Sequence, residues 1–162
     1  MSLYLLRLDL WGKDVWLVGG PHGVHGVEFV QPRGNFSDLL PEPSWAVKAR
    51  RQWEDFRKGR RKKFTLPLER RKKSPFGEAV MGRVGEIPPG TCRTYGEIAR
   101  LCGSPAAARA VGRLMARNPF PVLIPCHRVI GANGKLTGYS GPGGVGLKKW
   151  LLDKELEVFG TD

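Results

Sequence analysis

Residues 3–30 alternate apolar and polar side chains and are broken by glycine at Gly12, at Gly19-Gly20-Pro21 and at Gly23. A period of two puts successive side chains on opposite faces, so this stretch suits a half-buried sheet. Breaks this close together make it a small antiparallel meander. The period then changes. In "SWAVKARRQWEDFRKG" (residues 44–59), Trp45, Ala49, Trp53 and Phe56 recur at helical spacing, with Ser44 placed as an N-cap and Gly59 as the stop. A basic linker with one short extended piece follows. From Ser74-Pro75 a second helical stretch runs to about Ile87 and ends at Pro88-Pro89-Gly90. The reading is an α/β (α+β) chain. Residues 1–73 form a small domain of antiparallel sheet and helix, closed by the basic linker. Residues 74–162 form a mainly helical domain.

Charge is distributed unevenly over these parts. The chain of 162 residues carries a formal net charge of +12, made of −1 over residues 1–49, +9 over residues 50–76 and +4 over residues 77–162. An excess of this size points to a polyanionic partner, nucleic acid or an anionic membrane surface. The run 57–73 either extends a nucleic-acid footprint or is a solvated linker. No segment reads as a membrane span, since Arg7, Asp9, Lys13 and Asp14 interrupt the apolar N-terminus. Three cysteines, Cys92, Cys102 and Cys126, do not make a disulfide framework, although a Cys92–Cys102 bridge stays open. A reduced, cytoplasmic protein is expected.

The segment "TYGEIARLCGSPAAARAVGRLMARNP" (residues 94–119) has the shape of a helix-turn-helix. Thr94 and Glu97 stand at capping-box spacing. Ile98, Leu101 and Cys102 are expected to face inward, and Gly103-Ser104-Pro105 to turn the chain. The second helix is placed from about Pro105, with Ala107, Val111, Leu114 and Met115 as its core stripe. Its other face offers Arg109, Arg113 and Arg117 among Ala106, Gly112 and Ala116. A helix that reads the major groove needs long polar side chains aimed at base edges. Small residues instead permit close approach to a minor groove with little sequence reading. They also suit tight helix–helix packing, and this stretch alone does not separate the two.

The remaining feature is "IPCHRVI" (residues 124–130). A zinc site needs Cys and His in spaced pairs, which the chain lacks; His22 and His25 stand alone, and no metal is expected. Cys126 is then either a buried structural cysteine or a nucleophile whose thiolate is favoured by its neighbours His127 and Arg128.

Here the residues resemble a family. "NPFPVLIPCHRVIGANGKLTGYSGPGGVGLKKWLLDKE", preceded by "TYGEIARLCGSPAAARAVG" and "SPFGEAVMGRVGEIPPG", resembles the signature blocks of the O6-alkylguanine-DNA alkyltransferases (methylated-DNA–protein-cysteine methyltransferases) over roughly residues 64–155. The resemblance implies that Cys126 accepts the alkyl group, that His127 takes the thiol proton through a water, and that Glu155 orients His127. It implies that Tyr95 protonates the departing guanine and that Asn118 holds the loop carrying the cysteine. Tyr95, Ala106, Arg109, Ala110, Arg113, Arg117 and Arg128 would meet DNA, with Arg109 filling the stack after the base leaves. Pro121, Val129, Tyr139 and Ser140 would line the pocket. The implied partner is double-stranded DNA bearing O6-alkylguanine, with O4-alkylthymine as a second substrate. No cofactor is implied, and the setting is a monomer at the nucleoid. The implied chemistry is irreversible and single-turnover, with base flipping. The chain departs from the family pattern in a longer Gly/Pro-rich loop after Tyr139, in Pro89 where an aromatic is common, and in lacking N-terminal zinc cysteines. Two rivals carry weight: a lesion-binding module of the same fold that transfers nothing, and a sequence-specific transcription regulator.

Overall fold

The structure is a computed structural model that describes residues 3–36, 41–137 and 143–160. The chain divides into two compact units, Met1–Arg71 and Lys72–Asp162.

In the N-terminal unit, β1 (Tyr4–Leu10), β2 (Lys13–Gly19) and β3 (Val24–Glu28) form an antiparallel sheet in sequence order. The alternation expected from the sequence is seen directly. Leu6, Leu8 and Leu10 alternate inward on β1, and Leu6 and Leu8 stand opposite Leu17 and Val15 of β2. Trp11 and Gly12 make the β1–β2 turn, both at positive φ, as a two-residue hairpin requires. Helix α1 (Ser44–Arg57) lays Trp45, Ala46, Ala49, Trp53 and Phe56 inward. The two buried indoles donate to backbone carbonyls, Trp45 Nε1 to Gly20 at 2.8 Å and Trp53 Nε1 to Asp9 at 3.0 Å. Gly19 has to be glycine, because a Cβ there would meet the Gly23 carbonyl at 2.4 Å and the Trp45 ring at 2.5 Å.

Ser44 does not cap α1. Pro43 holds the cap position with no side-chain bond, and Ser44 is the first helical residue. The basic segment after Gly59 is also more than a linker. Gln52 clamps Thr65 with two hydrogen bonds, Phe64 packs on Trp53 and Phe56, and residues 67–69 run beside Val24.

In the C-terminal unit, α2 (Pro75–Gly85) starts at the Ser74 cap, whose hydroxyl accepts from Gly77 N at 3.1 Å. A short parallel pair, β4 (Arg93–Thr94) with β5 (Val129–Ile130), ties the start of the helix-turn-helix to the segment just after Cys126. Helix α3 (Tyr95–Leu101) opens with the full Thr94–Glu97 capping box. Helix α4 (Ala108–Ala116) begins three residues later than the sequence suggests, because Pro105–Ala107 continue the turn. Leu101 is turned outward, at 52% exposure, leaving Ile98 and Ala99 as the buried residues of α3. Helix α5 (Val145–Phe159) presents Leu147, Lys148, Leu151 and Glu155 inward. Among the described residues, no helix is long and apolar enough to cross a membrane.

Candidate active site and nucleic-acid interface

The loop between α4 and Cys126 is shaped by one side chain. Asn118 accepts from Phe120 N at 3.0 Å and donates to the Ile124 carbonyl at 2.9 Å, spanning the turn from both ends. Within it Val122 sits at φ 72°, an unfavourable setting for a β-branched residue, which holds only where the surroundings impose it. The loop delivers Cys126 into a 3-10 turn, Cys126–Arg128, that is buried throughout.

Behind the cysteine lies a closed polar cluster. His127 is fully buried, and its Nε2 meets Glu155 Oε1 at 2.6 Å. Arg128 lies on the other side of the same carboxylate, with Nε at 2.9 Å from Oε2 and Nη2 at 2.6 Å from Oε1, and its Nη1 donates to the Ile87 carbonyl at 2.7 Å. Burial by itself would raise the Glu155 carboxyl. His127 and Arg128 overcome that and hold it at about 2, so Glu155 is ionised. Burial pulls His127 below the usual imidazole range, with Glu155 opposing it only in part. A neutral imidazole that donates from Nε2 keeps a lone pair on Nδ1. Nδ1 is buried with no hydrogen-bond partner in the protein. The arrangement is therefore a base oriented by a carboxylate, with its accepting nitrogen uncommitted.

Two expectations are corrected here. Burial pushes the Cys126 thiol up, and the Asn118 hydrogen bond and the Lys148 charge pull it down only partly, so the resting sulfur is a thiol and not a thiolate. Arg128 does not face DNA. It is 3% exposed and its guanidinium is committed to Glu155 and Ile87.

Lys148, which the sequence reading did not single out, joins the site from α5. Its amino group donates to the Val129 carbonyl at 2.6 Å, the Thr137 carbonyl at 3.1 Å and the Tyr95 hydroxyl at 3.3 Å. Tyr95 in turn donates to the Thr137 carbonyl at 3.1 Å. The lysine thus fixes both the phenol at the head of α3 and the strand leaving the reactive turn. The only sequence signal was its place on the inward face of α5, seven residues before Glu155.

An open groove of about 900 Å³ runs along the helix-turn-helix, walled by Tyr95, Gly96 and Arg100 from α3 and by Ala108, Arg109, Gly112, Arg113 and Ala116 from α4. Gly112 faces the Tyr95 ring across it. Of the residues that the resemblance assigns to DNA, Tyr95, Arg109 and Arg113 line this groove. Gly112 and Ala116 line it as expected, joined by Ala108, whereas Ala106, in the turn before α4, and Ala110 and Arg117 are not among its walls. Pro121 is half-buried, and Val129 is closed off behind its bond to Lys148. Tyr139 and Ser140 lie outside the described residues. Among the described residues no cluster of three or more His, Cys, Asp or Glu side chains is assembled to hold a metal.

The sequence profile of the 6-O-methylguanine DNA methyltransferase DNA-binding domain matches residues 75–157, a span that holds the groove, the reactive turn and Glu155. A methylated-DNA–protein-cysteine methyltransferase of Methanosarcina acetivorans is 41% identical over 147 residues, covering 87% of this chain and 90% of that protein. The chain belongs to this methyltransferase family. Another family member, from Methanosarcina barkeri, is 38% identical over 87% of this chain and 89% of its own length. Solved structures agree on the fold the family adopts. The Mycobacterium tuberculosis O6-methylguanine methyltransferase superposes with a TM-score of 0.77 at 32% identity, covering 96% of this chain and 94% of that one. The crystal structure of Mycobacterium tuberculosis OGT in complex with DNA gives 0.74 at 34% identity, covering 99% and 95%.

Proposed function

We propose that this protein repairs O6-alkylguanine in double-stranded DNA by moving the alkyl group onto its own Cys126, once per molecule. The observation that carries the reading is the buried His127–Glu155 pair beside a protonated Cys126, with His127 Nδ1 left to accept a proton.

The groove on α3 and α4 receives the duplex. Its small residues allow close approach, and Arg109 and Arg113 supply charge. Cys126 is nearly closed to solvent and is not among the groove walls. A base still stacked in the duplex therefore does not reach it, and the damaged nucleotide is flipped out of the helix. Arg109 fills the space the base leaves. The thiol proton passes through a water to His127 Nδ1, and Glu155 stabilises the imidazolium that forms. Sulfur attacks the alkyl carbon as the carbon–O6 bond breaks. The electron pair stays with the guanine, which takes a proton from Tyr95. Asn118 holds the loop that presents the sulfur. The product is a thioether, which water does not cleave, so the chain is consumed. Such a protein acts where chromosomal DNA is, in the cytoplasm at the nucleoid, as a monomer and without a cofactor. O4-alkylthymine offers the same alkyl–oxygen bond.

The test is intact and peptide mass spectrometry after mixing the protein with a duplex bearing one O6-methylguanine. One added methyl on the peptide containing Cys126, absent from Cys126→Ala, is expected. Tight lesion binding with no change in mass would instead make the protein a lesion-binding module.

A further inference from the structure

The repair chemistry draws on the C-terminal unit alone, yet the densest positive charge of the chain lies on the other unit. Arg57, Lys58, Arg60, Arg61, Lys62 and Lys63 fall within seven consecutive residues. Arg57 and Lys58 are answered by Glu54 at 2.9 Å each, and Arg60 by Asp55 at 3.2 Å. Arg60, Arg61, Lys62 and Lys63 line a recess of about 380 Å³ against the single carboxylate of Asp55.

This loop is held in shape. The backbone N–H groups of Arg60 and Arg61 both donate to the Asp55 carbonyl, at 2.8 and 3.2 Å, and Arg61 Nη1 donates to the Lys63 carbonyl at 2.9 Å. Immediately beyond it, Phe64 is seated on Trp53 and Phe56, and Thr65 is clamped by Gln52. A solvated charge run loses chain entropy when a partner orders it, whereas a loop anchored at both ends has lost most of that freedom on folding. Cations carried on a backbone already held in shape, around a recess lined only by charged residues, suit a row of phosphates, contacted without regard to sequence.

We infer that the loop 58–63 is a second DNA-backbone contact, carried by the N-terminal unit, which strengthens binding to duplex beyond the lesion. The inference rests on the repair reading for the identity of the polyanion.

The full-length protein carrying Lys62→Gln and Lys63→Gln tests it. These changes keep the Lys63 carbonyl that Arg61 uses. Binding to a 30-base-pair duplex is measured by fluorescence anisotropy across a range of salt concentrations. The log–log salt slope is expected to become shallower by about one to two, and low-salt affinity to fall about tenfold. Methyl transfer to Cys126 at saturating lesion duplex is expected to match the unsubstituted protein. An unchanged slope overturns the inference and leaves the repair reading standing. An unsubstituted protein that neither binds duplex nor takes up methyl overturns both. Loss of binding to phosphatidylserine–phosphatidylcholine vesicles, with the duplex slope unchanged, assigns the loop to a membrane surface and also overturns the inference.

Discussion

A general base that begins neutral behaves differently in acid from one that begins charged. Burial holds His127 below the ordinary imidazole range, so its Nδ1 lone pair persists at pH values where a solvent-exposed histidine is already protonated. The rate of methyl transfer should stay level from pH 8 down through about 6.5 and decline only below that, as read by single-turnover kinetics. Stability carries the same signature. Both His127 and Glu155 bind protons less readily folded than unfolded. The contribution of His127 is complete above about 6.5, and that of Glu155 above about 4.5; the latter is lost as pH falls towards 2. The denaturant midpoint should hold above pH 6.5 and drop in steps below it. Glu155→Gln leaves Arg128 buried without its counter-charge, which costs about 3–5 kcal/mol, and it should remove the lower step. Lys148→Met keeps the volume but takes the lysine donor from the buried Val129 carbonyl, while the exposed Thr137 carbonyl keeps the Tyr95 hydroxyl. A loss of about 1–3 kcal/mol for that buried group should appear as a lower thermal midpoint, together with slower transfer as the Tyr95 hydroxyl loses its lysine partner.

Elements are held at their ends by backbone geometry that tolerates little change. Gly90 follows α2 at φ 83°, and a Cβ there would lie 2.2 Å from the Gly160 carbonyl at the end of α5. Gly90→Ala should therefore lower the thermal midpoint by more than the roughly 1–2 kcal/mol that the left-handed conformation alone costs. Gly112 makes the opposite case. The nearest atoms a Cβ would meet are in the Tyr95 ring at 3.9 Å, an ordinary contact. Gly112→Ala should raise stability by about 0.5–1 kcal/mol through helix propensity while weakening duplex binding, because the methyl narrows the groove. A melting curve beside an anisotropy titration separates the two effects.

What could be read without coordinates follows the same line between local and distant causes. The meander, the inward stripe of α1, the Ser74 start of α2 and the Thr94–Glu97 box depend on residues within one turn or one hairpin, and all are legible in the sequence. The start of α4 was misplaced because Pro105 suits a first helical position and a turn equally well. The shift leaves Ala106 in the turn, while Gly112 and Ala116 line the groove as their spacing from Arg109 and Arg113 suggests. Arg128 and Lys148 depend on partners distant in the chain: Arg128 on Glu155, Lys148 on Val129 and Tyr95. No periodicity shows where a long cationic side chain will end. The polarity of the thiol was misjudged for the same reason, since a neighbouring arginine helps a thiolate only when its charge is not already spent on a carboxylate.

At the scale of the whole molecule, the groups proposed for the chemistry and the loop proposed for the second backbone contact fall in different units. Tyr95, Asn118, Cys126, His127, Lys148 and Glu155 all belong to the unit beginning at Lys72, whereas the charged loop 58–63 belongs to the unit before it. The junction is bracketed by anchors. On one side Glu69 N donates to the Val24 carbonyl at 2.8 Å, and on the other Lys73 N donates to Glu78 Oε1 at 2.8 Å beside the Ser74 cap. Between them Arg70, Arg71 and Lys72 are exposed, and each is a tryptic site. The exposed basic residues of the 58–63 loop lie between packed anchors within one unit, whereas those of 70–72 lie where one compact unit ends and the next begins. Trypsin binds its substrate as an extended segment, so it cuts first where the chain opens at the least cost in packing. Limited digestion should therefore release two resistant fragments that divide within residues 70–72. If the protein first reacts with a methylated duplex, the added mass should travel with the later fragment. That fragment, once separated, should still accept methyl from fresh lesion duplex, because every group assigned to the chemistry is within it. Early cleavage within 58–63 would show that loop to be loose and would weaken the case for it as a pre-shaped phosphate contact.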